Sequence, residues 1–128
     1  MTGQSALIDP WKGLPRRIQI GHQTWRLLFV PVDHPGLESE GERCDGTTNF
    51  RTLQIHVLET LDLQSGFNTV LHELRHAIHN SQDLTEESSE EDFTNRGTNG
   101  EIALWMANPR FYTWQTKVLR LLQKEARP

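Results

Sequence analysis

The chain has 128 residues, with 17 acidic against 13 basic side chains and a formal net charge of −4. This is enough for one domain with a modest core, and the acidic balance argues against general nucleic-acid affinity, because phosphate binding needs clustered cations. No apolar run is long enough to span a bilayer, the MTGQSALIDPWKG start lacks the regions of a signal peptide, and a lone cysteine, Cys44, excludes an internal disulfide, so a cytoplasmic protein is expected.

In chain order, the first half reads as β. Ile18 and Ile20, then Trp25, Leu27 and Phe29, alternate with polar or second-face residues, and Gly21 with His22 marks a turn, predicting a hairpin. Residues 31 to 49 carry Pro31, Pro35, Gly36, Gly41 and Gly46 among several acids and predict a long irregular loop, which either borders a substrate groove or merely connects. Cys44 lies in it among acidic residues, where a thiol is expected to be inert. Leu53, Ile55 and Val57 then restore alternation as a third strand.

The second half reads as helices. Phe67, Val70, Leu71, Leu74 and Ile78 repeat at helical spacing and predict a helix over residues 66 to 80. A second helix is expected from Glu87 to Ala107, with Gly97 and Gly100 each weakening its middle by about 1 kcal/mol relative to Ala. Asn108 and Pro109 read as the N-cap and first-turn pair of a final helix, in which Phe111, Trp114, Val118, Leu121 and Leu122 form a core-facing stripe. Lys117, Arg120, Lys124 and Arg127 recur along its other side, as a solvated face or a local site for an acidic partner or phosphates. The predicted class is α+β: one domain spanning residues 1–128, with an N-terminal antiparallel sheet of about three strands followed by three helices.

The chemistry concentrates in LHELRH, where His72, Glu73 and His76 spell HExxH. Residues four apart lie one turn above each other on a helix, so the imidazoles of His72 and His76 converge on one ion, and zinc accepts such a pair. Both fall on the polar side of the predicted helix, off its apolar stripe. Glu73 is turned about 100° from His72, where it reaches a water at the ion better than the ion itself, the position of a general base.

A catalytic zinc normally has three protein ligands and an open position, so a third ligand is sought elsewhere. His79 lies about 10 Å from His72 along a straight helix, too far to share its ion. The acidic stretch Glu86, Glu87, Glu90, Glu91 and Asp92 offers carboxylates, with Glu91 the first choice and Glu90 the alternative. A competing role for Glu91 is a capping box with Ser88, and Asp83 serves as readily as a turn residue. His79, His56, Arg75 and Tyr112 are the conceivable donors to a developing oxyanion, and the strand bearing Gln54 and His56 is a candidate edge for an extended substrate.

Four stretches, IQIGHQTWRLLFV, RTLQIHV, TVLHELRHAIH and EEDFTNRGTNGEIALWMANPRF, together resemble the small single-domain zinc metallopeptidases of phages and prophages, distant kin of the ImmA/IrrE and SprT-like families. The third stretch is the specific one. The resemblance implies a minimal zincin-like domain binding Zn2+ through His72, His76 and a downstream acid, here Glu91, with Glu73 as the base. It further implies hydrolysis of peptide bonds in a protein or peptide substrate, in the bacterial cytoplasm or a phage-infected cell. Gly97, Asn99 and Glu101 depart from it, standing where relatives tend to be apolar. The alternative is a zinc-binding regulatory or interaction protein without efficient catalysis, which loss of Glu73 would favour. A purely structural zinc is a third reading, with His79 or Asp83 closing the shell.

Overall fold

The computed structural model describes residues 9–126. Its architecture is α+β: six strands, β1 (Arg17–Ile20), β2 (Gln23–Val30), β3 (Glu38–Ser39), β4 (Glu42–Arg43), β5 (Gly46–Asn49) and β6 (Gln54–Leu58), precede helices α1 (Leu63–Ser81), α2 (Glu90–Ala107) and α3 (Pro109–Ala126). β1 and β2 form the expected hairpin, Ile18 opposite Trp25, and Gly21 takes φ +61° in the turn, a conformation that costs a glycine little.

The sheet differs from the expected one in two respects. It has four strands in the order β1-β2-β6-β5, and the β2–β6 pair is parallel, Leu27 beside Ile55, so the sheet is mixed rather than antiparallel. The fourth strand lies inside the segment expected to be irregular. Its sequence, GTTN, has no apolar alternation, and its order comes from antiparallel pairing with β6, Thr48 opposite Ile55. The same segment holds a short 3-10 turn, Pro35–Leu37, and the small β3–β4 ribbon. β6 is consequently an interior strand, so the edge expected at Gln54 and His56 falls instead on β5.

One face of the sheet packs on the helices. Ile18, Trp25, Leu27, Ile55 and Val57 meet Val70, Leu74, Phe111, Trp114 and Val118 in one core, each at most 2% exposed. Burying such side chains contributes about 1.5–3 kcal/mol apiece. Trp11 stacks near Trp114, whose indole N–H donates to the Pro10 carbonyl at 2.8 Å, so the segment before β1 is tied to α3.

Helix boundaries follow local chemistry. α1 is capped by Asp62, whose carboxylate accepts the Ser65 backbone N–H at 2.7 Å and is thereby held below its usual pKa. α2 starts at Glu90 rather than Glu87. Its N-cap is Ser89, accepting from the Asp92 N–H at 3.1 Å, while the Ser88 hydroxyl accepts from Thr85 N–H, so the cap falls one residue after the expected Ser88. Asn108 does not cap α3 with its side chain. Its Oδ1 accepts the Gln19 backbone N–H at 2.8 Å and its Nδ2 donates to the Gln19 and Leu104 carbonyls, satisfying part of β1's outer edge. Arg127 lies outside the described residues.

Candidate metal centre

Why α1 presents its histidines follows from how it is packed. The buried side of the helix is broader than the apolar stripe alone, running through Gly66, Phe67, Val70, Glu73, Leu74, Ala77 and Ile78. Glu73 is thus buried at 7% exposure, although its neighbours His72 and His76 are exposed. An ionised carboxylate in that position needs hydrogen bonds. β5 supplies one: the Thr48 hydroxyl lies 2.8 Å from Glu73 Oε1 and 3.1 Å from the Glu73 backbone carbonyl. The strand comes this close because Gly46 has no side chain; a Cβ there would lie 2.5 Å from Thr69 Cγ2 and 3.1 Å from Glu73 Cγ.

With Oε1 held by Thr48, Oε2 faces the histidines, 3.9 Å from His72 Nε2. The Nε2 atoms of His72 and His76 are 3.2 Å apart. Two nitrogens about 2.05 Å from a tetrahedral zinc stand about 3.3 Å from each other, so the pair is already spaced for one ion. Among the described residues, His72, Glu73 and His76 are the group of His, Cys, Asp and Glu side chains whose ligand atoms converge within 4.8 Å. The donor set therefore fits a divalent metal of the zinc type at two positions, with a carboxylate beside it.

The third position is not filled in the same way. Glu90 and Glu91 are exposed in the first turn of α2, outside this group, and Glu91 Oε1 accepts from Asn95 Nδ2 at 3.1 Å. Asp83 sits in the turn after α1 at φ +56°, a left-handed conformation that Asp tolerates. α2 packs instead on the side of α1 that carries Arg75, Ile78 and Gln82. Arg75 pairs with Glu101, and Gly100 approaches Ile78 and Gln82 so closely that a Cβ would overlap the Ile78 methyl. The interface is thus a close helix contact at Gly100 and an ion pair at Glu101, whereas at Gly97 the nearest atom to an added Cβ is Arg75 Nη1 at 3.7 Å. His79 lies half-buried against the Phe93 ring, and burial, then the charges of Arg75 and His76, hold its imidazole below the usual pKa.

The histidines open on a cleft of about 600 Å³. One wall is α1 with His72, Glu73 and His76; another is the free edge of β5, from Gly46 to Asn49; the 3-10 turn and the β3–β4 ribbon, with Glu38 and Cys44, form the rim. His56 also lines it. This side chain is 8% exposed, lies beneath Gly36, and has an Nδ1 without a hydrogen-bond partner. Burial, then His34, depresses its pKa, so it is neutral at pH 7. Of the four candidate oxyanion donors, His56 is the one on the cleft; Tyr112 stands on α3 against Trp105. Thr48 went unrecognised in the sequence, since a threonine in a segment without periodicity carries no signal of its contact.

No family model, characterised protein or solved structure matches the chain. Among the described residues, no helix is long and apolar enough to cross a membrane.

Proposed function

We propose that the protein is a zinc-dependent metallopeptidase of the bacterial or phage-infected cytoplasm, with His72 and His76 as metal ligands and Glu73 as general base. The observation that carries this reading is the 3.2 Å spacing of the two Nε2 atoms beside a buried carboxylate, at the floor of a cleft bounded by a free strand edge. Zinc bound there would polarise the scissile carbonyl and make the attacking water more acidic. Glu73 takes the proton from that water as its oxygen adds to the carbonyl carbon, then delivers it to the amine nitrogen as the C–N bond breaks. Thr48 keeps Oε1 occupied and leaves Oε2 for this proton. The outward backbone groups of β5 bind an extended peptide by strand addition, which gives affinity without deep specificity pockets.

The test is metal content and cleavage measured together. Wild type and Glu73→Gln should each retain one zinc, and only wild type should cleave an unfolded protein such as reduced, alkylated casein; His76→Ala should lose both metal and activity. A wild type that holds no zinc after purification with added metal removes the reading. Glu91→Gln, Glu90→Gln and Glu38→Gln, assayed for metal release, identify the third ligand, for which Glu91 is the residue the sequence resemblance implies.

A further inference from the structure

Along α3, beside its core-facing stripe, the structure collects cations that are scattered in sequence. Lys117, Arg120 and Lys124 line one shallow concavity along the helix. Lys117 also lines the next, together with Lys12 and Arg110, and Arg110 in turn borders a third with Arg16 and Arg17. The three concavities thus share residues and form one continuous track. All seven cations are exposed, and among the described residues none of them enters an ion pair. From Arg110 to Lys124 the track covers about 21 Å of helix.

Lys117 Nζ donates to the Lys12 carbonyl at 2.8 Å and Arg16 lies 4.7 Å over the Phe29 ring, but folding does not account for Arg110 or Arg17. Arg110 stands in the first turn of α3, where the helix dipole disfavours a cation and where α2, by contrast, carries Glu90, Glu91 and Asp92. Arg17 lies directly opposite Arg26 across the β1–β2 pair, and like charges facing each other across strands are destabilising. Both placements are unfavourable in the isolated fold, and an external polyanion would relieve them. With a net charge of −4 for the whole chain, the remaining surface is strongly acidic, including the ribbon acids Glu38, Glu40 and Glu42.

We propose that this track binds the phosphate backbone of duplex nucleic acid, without base specificity, holding the acidic cleft side away from the duplex. The repeated cations match a polymer that carries one charge per about 1.7 Å of axis. Tyr112 and Leu121 also line the first concavity, so the vesicle and polyglutamate arms of the test separate the duplex from a lipid surface or an acidic protein. This inference does not depend on the peptidase reading, and its test reads binding alone.

The full chain is titrated into a fluorescein-labelled 20-base-pair DNA duplex of arbitrary sequence, and anisotropy is followed from 50 to 200 mM salt. About four phosphate contacts predict a log K against log salt slope near −3.6 and a loss of roughly 100-fold over that range. Arg110→Glu with Arg120→Glu should weaken binding at least tenfold at 100 mM salt and remove about two from the slope. Arg51→Glu with Arg96→Glu, the same charge change away from the track, should stay within about threefold of wild type. Should the double reversal prove unstable by circular dichroism, Arg110→Gln with Arg120→Gln carries the same comparison. The proposal is overturned by absence of binding at 50 mM salt, by equal losses in the two double variants, or by vesicles rich in phosphatidylserine or polyglutamate retaining the protein as strongly as the duplex.

Discussion

Two glycines three residues apart on α2 should respond to the same substitution with opposite sign. In an exposed helix interior, Gly→Ala stabilises by about 1 kcal/mol because the unfolded chain loses freedom. At Gly97 the nearest atom to an added Cβ is Arg75 Nη1 at 3.7 Å, an ordinary contact, so Gly97→Ala should realise that gain. At Gly100 the new methyl would overlap Ile78 Cγ2 and lie 3.2 Å from Gln82 Cγ. Ile78 is 2% exposed and β-branched, so it has no rotamer to yield to, and overpacking of this kind costs about 1–3 kcal/mol. The propensity gain is cancelled or exceeded, and the two variants should differ by about 1–3 kcal/mol. For a domain of this size that is a gap of at least about 3 °C in Tm. Thermal unfolding of both variants by circular dichroism at one pH checks it. If Gly100→Ala melts at or above Gly97→Ala, the close α1–α2 approach is wrong and Gly100 is only a weak helix former.

Further expectations concern the site and its supports. Thr48→Val keeps shape but leaves Glu73 Oε1 without its donor; it should lower stability by about 1–2 kcal/mol and peptidase kcat/KM at least tenfold with zinc content unchanged, while Thr48→Ser restores both. Gly46→Ala pushes β5 off α1 at Thr69 and Glu73, and should cost about 1–3 kcal/mol in denaturant unfolding, with the change of midpoint read at constant m. The depressed pKa of Asp62 means its cap contributes above the unfolded value near 3.8 and is lost as pH falls through the folded one, so Asp62→Asn should melt below wild type at pH 7 and approach it as the pH is lowered below 3.8. For His56 the folded pKa is also lowered, but for a base: stability is full above pH 6.5 and falls as pH drops below it, and His56→Phe should flatten that part of the profile.

The elements that sequence made legible are those whose signal is local. HExxH on a helix needs only a rise and a turn to bring His72 and His76 together, so their convergence was readable from a spacing of four. The α1 and α3 stripes and the β1–β2 hairpin were likewise written in periods of 3.6 and 2. Tertiary structure alone decided features that depend on residues distant in sequence. It made GTTN a strand by pairing it with β6, set β2 and β6 parallel, and moved the free edge to β5. It buried Glu73 under Thr48, 25 residues earlier, and turned Gly100 from a helix weakness into a contact surface. It also set Arg16 and Arg17 beside Arg110, more than 90 positions later in the chain, where a run of charge on one helix became a continuous cationic track. Periodicity specifies which side of an element is apolar, but which other element that side meets is settled only when the whole core closes.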